Sequence, residues 1–102
     1  MNSWRKAAEF LRAAVDALDT EQDAAQRAAL YGGLATIIGE LETLVHEDCE
    51  GNTYALEKCG NFRWHVAAAL GIDDDNGHGP AEHRRMALGE LRSFENVLDQ
   101  MR

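Results

Sequence analysis

The chain has 102 residues, 45% of them hydrophobic, and a net charge of −8 from eighteen acidic against ten basic side chains. That length makes one domain, able to bury roughly two thirds of its unfolded surface in a single modest core. Few β-branched residues and no strand alternation exclude a sheet protein, and the acidic balance speaks against direct nucleic-acid binding, which needs a basic face.

The first apolar stripe is Trp4, Ala8, Leu11, Val15 and Leu18, at steps of four and three. Such steps put every member on one face of a helix, here predicted over residues 3–18 with Ser3 as its cap. Asp19 and Thr20 break the pattern, and Thr20 with Asp23 resembles a capping box for the next helix. That helix is predicted over 21–48, with Tyr31, Leu34, Ile38, Leu41 and Val45 as its seam. Gly32 and Gly33 near its middle mark a break, a close helix crossing or a ligand approach, and close packing is the expected reading. The longest uncharged run, 28–39, is too short to span a bilayer. No leader segment is read at the start, so a soluble, cytoplasmic protein without membrane contact is expected.

Residues 50–53 form a turn, with Asn52 or Thr53 capping a third helix that reaches residue 70. Its seam is Ala55, Cys59, Phe62, Val66 and Ala69, and Gly71 is a natural stop. The irregular stretch 71–79 holds Asp73, Asp74 and Asp75, which fail the calcium-loop template because its sixth and twelfth positions are His78 and Arg84. These acids are read as solvated linker residues. Pro80 opens a fourth helix, predicted to residue 100, with Ala87, Leu91, Phe94, Leu98 and Met101 on one face. Four one-faced helices must bury their faces on one another, which predicts an all-α, mostly antiparallel four-helix bundle in one domain, its second helix broken or continuous.

Several side chains invite chemistry. His46, Cys49, Cys59 and His65 lack the paired short spacings of structural zinc sites. Cys49 and Cys59 flank a turn where a bridge is geometrically open to them, although two free thiols are the ordinary state in a reducing compartment. His78 and His83 are expected to be exposed. Glu40, Glu42, Glu47, Asp48 and Glu50 fall in eleven residues without Lys or Arg, and Glu57 faces them if the second and third helices form an antiparallel hairpin. Inward-leaning carboxylates on adjacent helices are how bundles hold divalent metal, so Glu40, Glu47 and Glu57 are the candidate metal ligands. A hydrated outer face is the alternative.

One order of motifs has a familiar ring: a helix with Gly39-Glu40-Leu41, an acidic turn, the stretch Leu56-Glu57-Lys58-Cys59-Gly60-Asn61-Phe62-Arg63-Trp64, then Arg84-Arg85-Met86-Ala87-Leu88-Gly89-Glu90-Leu91. This resembles the MazG-like all-α nucleoside triphosphate pyrophosphohydrolases from residue 28 onward. The resemblance implies a magnesium cofactor clamped by carboxylates, of which Glu40 is kept. Glu57 is also kept but does not stand at a principal ligand position of the family. An enzyme on this chain would use Glu40 and Glu57 as its catalytic residues, with Glu47 and His65 around the metal. In the same register Thr36, Ile37, Lys58 and Asn61 stand where the family has acids.

The reading that best suits these residues is a non-catalytic, cofactor-free binding protein of inhibitor type. Glu42, Glu47, Asp48 and Glu50 would meet a basic protein surface, anchored by an exposed Trp4 or Trp64. The enzyme is the rival. A homodimer is the third reading, since Ala25, Ala28, Ala29, Leu30 and Ile37 widen the apolar face of the second helix. Trp64 is read as exposed or as filling that dimer interface.

Overall fold

Asp23 opens the longest helix: its side chain accepts the Gln26 amide at 2.8 Å. This corrects the expected Thr20 box, because the three residues before Asp23 form a turn and Asp23 itself has the extended backbone of a cap. A computed structural model describes residues 3–100, with side chains from Trp4 onward, so the Ser3 side chain expected as a cap, and Met101, lie outside what it describes. Four helices follow one another: α1 (Ser3–Asp16), α2 (Ala24–Asp48), α3 (Thr53–Ala69) and α4 (Pro80–Gln100). No strand occurs among the described residues.

α2 runs unbroken through Gly32 and Gly33. The expected close crossing is absent, for a Cβ added at either glycine would meet nothing within 4 Å. Both face outward, and Thr36 turns its hydroxyl back to donate to the Gly32 carbonyl at 3.0 Å. By length and composition α2 also meets the requirement for crossing a membrane, because such a window tolerates two charges where the uncharged run alone is short. Here its Leu34, Ile38, Leu41 and Val45 are buried in the bundle.

α3 is capped by Asn52, which accepts the Ala55 amide at 2.9 Å. It stops at a left-handed Gly71 (φ +73°), where Ile72 N–H bonds Ala67 O and Gly71 N–H bonds Ala68 O. This pair of bonds satisfies the last carbonyls of the helix. Pro80 begins α4 as the fixed φ of proline allows.

The helices pack in a ring, α1 on α2, α2 on α3, α3 on α4 and α4 on α1, with α3 and α4 the most extensive pairing. Cross-links show that neighbours are antiparallel: Arg5 to Asp99 and Arg12 to Glu95 between α1 and α4, Arg27 to Leu70 O and Arg63 to Glu42 between α2 and α3. All four stripes meet in one core, in which Phe62, Phe94, Leu11, Ile38 and Leu41 are among the largest fully buried side chains. Trp4 belongs to that core, edge-on to Phe94 with centroids 5.8 Å apart, and so is not the exposed anchor considered above. Its place one turn before Ala8 in the stripe is the reason.

Candidate functional site

The α2–α3 turn places the acidic candidates. α2 ends at Cys49, and the chain then passes through two left-handed residues, Glu50 (φ 56°) and Gly51 (φ 64°), before Asn52 restarts a helix. Glu47, Asp48 and Glu50 are all exposed there, and none of them forms an ion pair among the described residues. Glu42 differs. Arg63 of α3 reaches it with both terminal nitrogens, at 2.5 and 3.4 Å, closing a two-pronged clamp between α2 and α3. Glu42 and Arg63 each sit one position beyond a seam residue, Leu41 and Phe62, which is where cross-helix ion pairs form.

Glu40, Glu47 and Glu57 are exposed, and among the described residues no three His, Cys, Asp or Glu side chains gather as a metal would require. Glu40 and Glu47 are two helical turns, ~10 Å, apart along α2. Magnesium needs oxygens at ~2.1 Å in an octahedron, so these residues as placed do not fit the ion that the pyrophosphohydrolase resemblance implies. The His46, Cys49, Cys59 and His65 set gathers no better. Both cysteines are free thiols. Burial, together with the Glu42 charge, pushes the Cys59 thiol up to about 12, which removes it as a nucleophile at neutral pH.

A histidine cluster was not legible as such. His83, expected on the surface, is fully buried, one turn before Ala87 on the core stripe of α4. Extending that stripe back by four residues is the signal that would have found it. Its Nε2 lies 2.6 Å from the Asp75 carbonyl oxygen, which can only accept, so the neutral ring carries its proton there. Its Nδ1 must then accept, and His65 Nδ1, 3.0 Å away, must donate. His65 therefore keeps a lone pair on Nε2. Trp64 lies against both rings, at centroid distances of 4.7 and 5.2 Å, and is half-buried by them. Burial first, and His83 and His78 after it, hold His65 below the ordinary 6.5, with Glu90 opposing. His78 stays exposed as expected and pairs with Glu82 at 3.0 Å. The cluster ties the 70–79 loop to α3 and α4. Within that loop the Asp73, Asp74 and Asp75 carboxylates accept the amides of Asp74, Asn76 and Gly77, so the three acids are exposed turn-formers.

Two concave surfaces also stand out. An uncharged groove between α1 and α2 is lined by Phe10, Ala14, Ala29, Leu30, Gly33 and Ile37, with Phe10 54% exposed at its edge. A charged trough of about 510 Å³ runs between α1 and α4. No protein-family model, no curated protein and no solved structure matches this chain.

Proposed function

We propose that the chain is a small, non-catalytic binding protein that presents the acidic α2–α3 turn to a basic protein surface. The observation that carries this reading is the company of Glu47, Asp48 and Glu50: three exposed carboxylates at one turn with no ion-pair partner among the described residues, while neighbouring Glu42 is already engaged by Arg63. Glu50 adds support. It sits at φ 56°, where a residue with a side chain pays about 1 kcal/mol and glycine would not. A carboxylate held at that cost suits a side chain that has work to do outside the fold. The free thiols Cys49 and Cys59 agree with a reducing, cytoplasmic setting. Trp64, engaged by two histidines, serves this surface less well than its sequence position suggests.

The test compares two triple variants of equal charge. Glu47→Lys/Asp48→Lys/Glu50→Lys reverses the turn, and Asp73→Lys/Asp74→Lys/Asp75→Lys reverses the opposite end of the bundle. Against a panel of basic proteins on a biosensor, the wild type is expected to bind in a salt-sensitive way, the turn variant to lose tenfold or more in affinity, and the opposite-end variant to keep it. Equal losses in both variants would reduce the effect to net charge and remove the turn from the reading.

A further inference from the structure

The surplus of negative charge is unevenly placed. α1 carries three bases and two acids, and α4 three bases and four acids, so this pair of helices is electroneutral although the chain stands at −8. Within the pair, Arg5 and Arg12 are bound to Asp99 and Glu95, and Arg84 reaches the Asp16 carbonyl. The carboxylates of Glu9 and Asp16 and the guanidiniums of Arg85 and Arg92 form no ion pair among the described residues.

These four side chains wall the trough between α1 and α4. Glu9, Asp16 and Arg92 line its main hollow, which continues past Gly89 into a second hollow of about 260 Å³ bounded by Arg85 and Arg92. Ala13 and Gly89 keep the floor low. Both charge pairs are spaced by seven residues, two helical turns. The antiparallel register set by Arg12–Glu95 and Arg84–Asp16 places Glu9 level with Arg92 and Asp16 level with Arg85. Apart from Arg12, which lies between the two acids and is tied to Glu95, acids line one wall and bases the other, at matching heights.

Such a pattern is complementary to itself. A two-fold axis parallel to the bundle lays α1 of a second copy over α4 of the first without changing heights. Glu9 of the second copy then meets Arg92, Asp16 of the second copy meets Arg85, and the two reciprocal pairs form as well. We propose that the α1–α4 face is a homodimer interface, with a second copy of this chain as its occupant. Charge selects that occupant. Two copies at −8 repel as wholes, and on this side, neutral in sum, they approach with opposite charges facing at matching heights. Extent agrees: the molecule measures 41 × 23 × 18 Å, so one long side offers roughly 800 Å², the area per partner of a stable dimer. The long stems of Arg85 and Arg92 from the facing copy fill the trough above Ala13 and Gly89. Rim ion pairs fix orientation more than they add affinity, so the dimer is a reversible one.

Sedimentation velocity over about two decades of protein concentration tests this. The wild type should shift from monomer to dimer. Arg92→Glu alone, or Glu9→Arg alone, should weaken the dimer by about tenfold or more, since each brings like charges together. Glu9→Arg with Arg92→Glu should restore it to within about threefold, a rescue that only facing charges produce. Asp16→Arg with Arg85→Glu gives the same test on the second pair, and circular dichroism checks that each variant folds. A monomer at every concentration would overturn the proposal. So would a dimer indifferent to all four changes, which would move self-association to the uncharged groove beside Phe10.

Discussion

His65 shows how one ring nitrogen gains its character from a residue several steps away. The Asp75 carbonyl fixes the proton of His83, His83 fixes that of His65, and burial makes a charge on His65 unfavourable. The consequence for stability has a definite sign. Where the folded value lies below the unfolded one, the unfolded chain binds more protons as pH falls through about 6.5 and below, so stability is lost with acid in that window. Full protonation of both rings would also set two N–H groups against each other across 3.0 Å. His65→Gln removes the titrating ring, and Gln can still donate to His83. Thermal unfolding of the variant should fall less steeply between about pH 7 and pH 5 than that of the wild type. Parallel curves would mean that His65 does not contribute to the acid sensitivity.

At the scale of the helix, two glycines illustrate opposite uses of the same residue. Gly33 lies inside α2 at an ordinary helical φ, with open space where a Cβ would go. Gly33→Ala should stabilise the protein by about 1 kcal/mol, because alanine costs less backbone entropy in a helix interior. Gly71 ends α3 in the left-handed region, and a Cβ there would stand 2.5 Å from Arg27 Nη1, the group that donates to Leu70 O at 2.8 Å. Gly71→Ala should cost about 1–2 kcal/mol, and less in an Arg27→Ala background, where only the backbone term remains. Chemical denaturation of the wild type, the three single variants and the Arg27→Ala/Gly71→Ala double variant reads both effects, and equal costs with and without Arg27 would remove the clash.

The same element scale explains what could be read in advance. The four helices were legible because each stripe repeats through four or five buried residues, and Asn52, Gly71 and Pro80 are strong local signals. The α2 start was misplaced because Thr20 and Asp23 both suit a cap and only the following backbone decides between them. Gly32 and Gly33 were misjudged because glycine pairs at crossings and glycines facing solvent look alike in one dimension. The acidic turn was visible as composition. The Glu42–Arg63 clamp, the His65–His83 pair and the opposed walls of the α1–α4 trough depend on the register between helices, which no single stripe encodes.

Taken whole, the molecule is a rod whose negative charge gathers at its two ends. The antiparallel ring brings the 17–23 and 70–79 loops to one end, where Asp19, Glu21, Asp23, Asp73, Asp74 and Asp75 are all exposed, while Glu47, Asp48 and Glu50 mark the other end. Two forces then oppose each other as salt is added. Screening weakens the attractive pairs on the sides, such as Lys58–Glu90 at 3.0 Å, but such partly exposed pairs are worth only about 0–1 kcal/mol each. Screening also relieves repulsion among six acids gathered at one end, which acts on the folded state more than on the expanded chain. With the net charge at −8 the second effect should win. Raising salt from about 0.01 M to about 0.15 M shortens the screening length from ~30 to ~8 Å, less than the width of that end. At protein concentrations low enough to keep the chain monomeric, the melting temperature should therefore rise by several degrees, as about 1 kcal/mol produces in a domain of this size. Asp73→Asn/Asp74→Asn/Asp75→Asn keeps the side-chain oxygens that accept the loop amides and removes the charge. That variant should melt higher than the wild type at low salt and respond less to added salt. A melting temperature that falls with salt would instead make the cross-helix ion pairs the dominant electrostatic contribution.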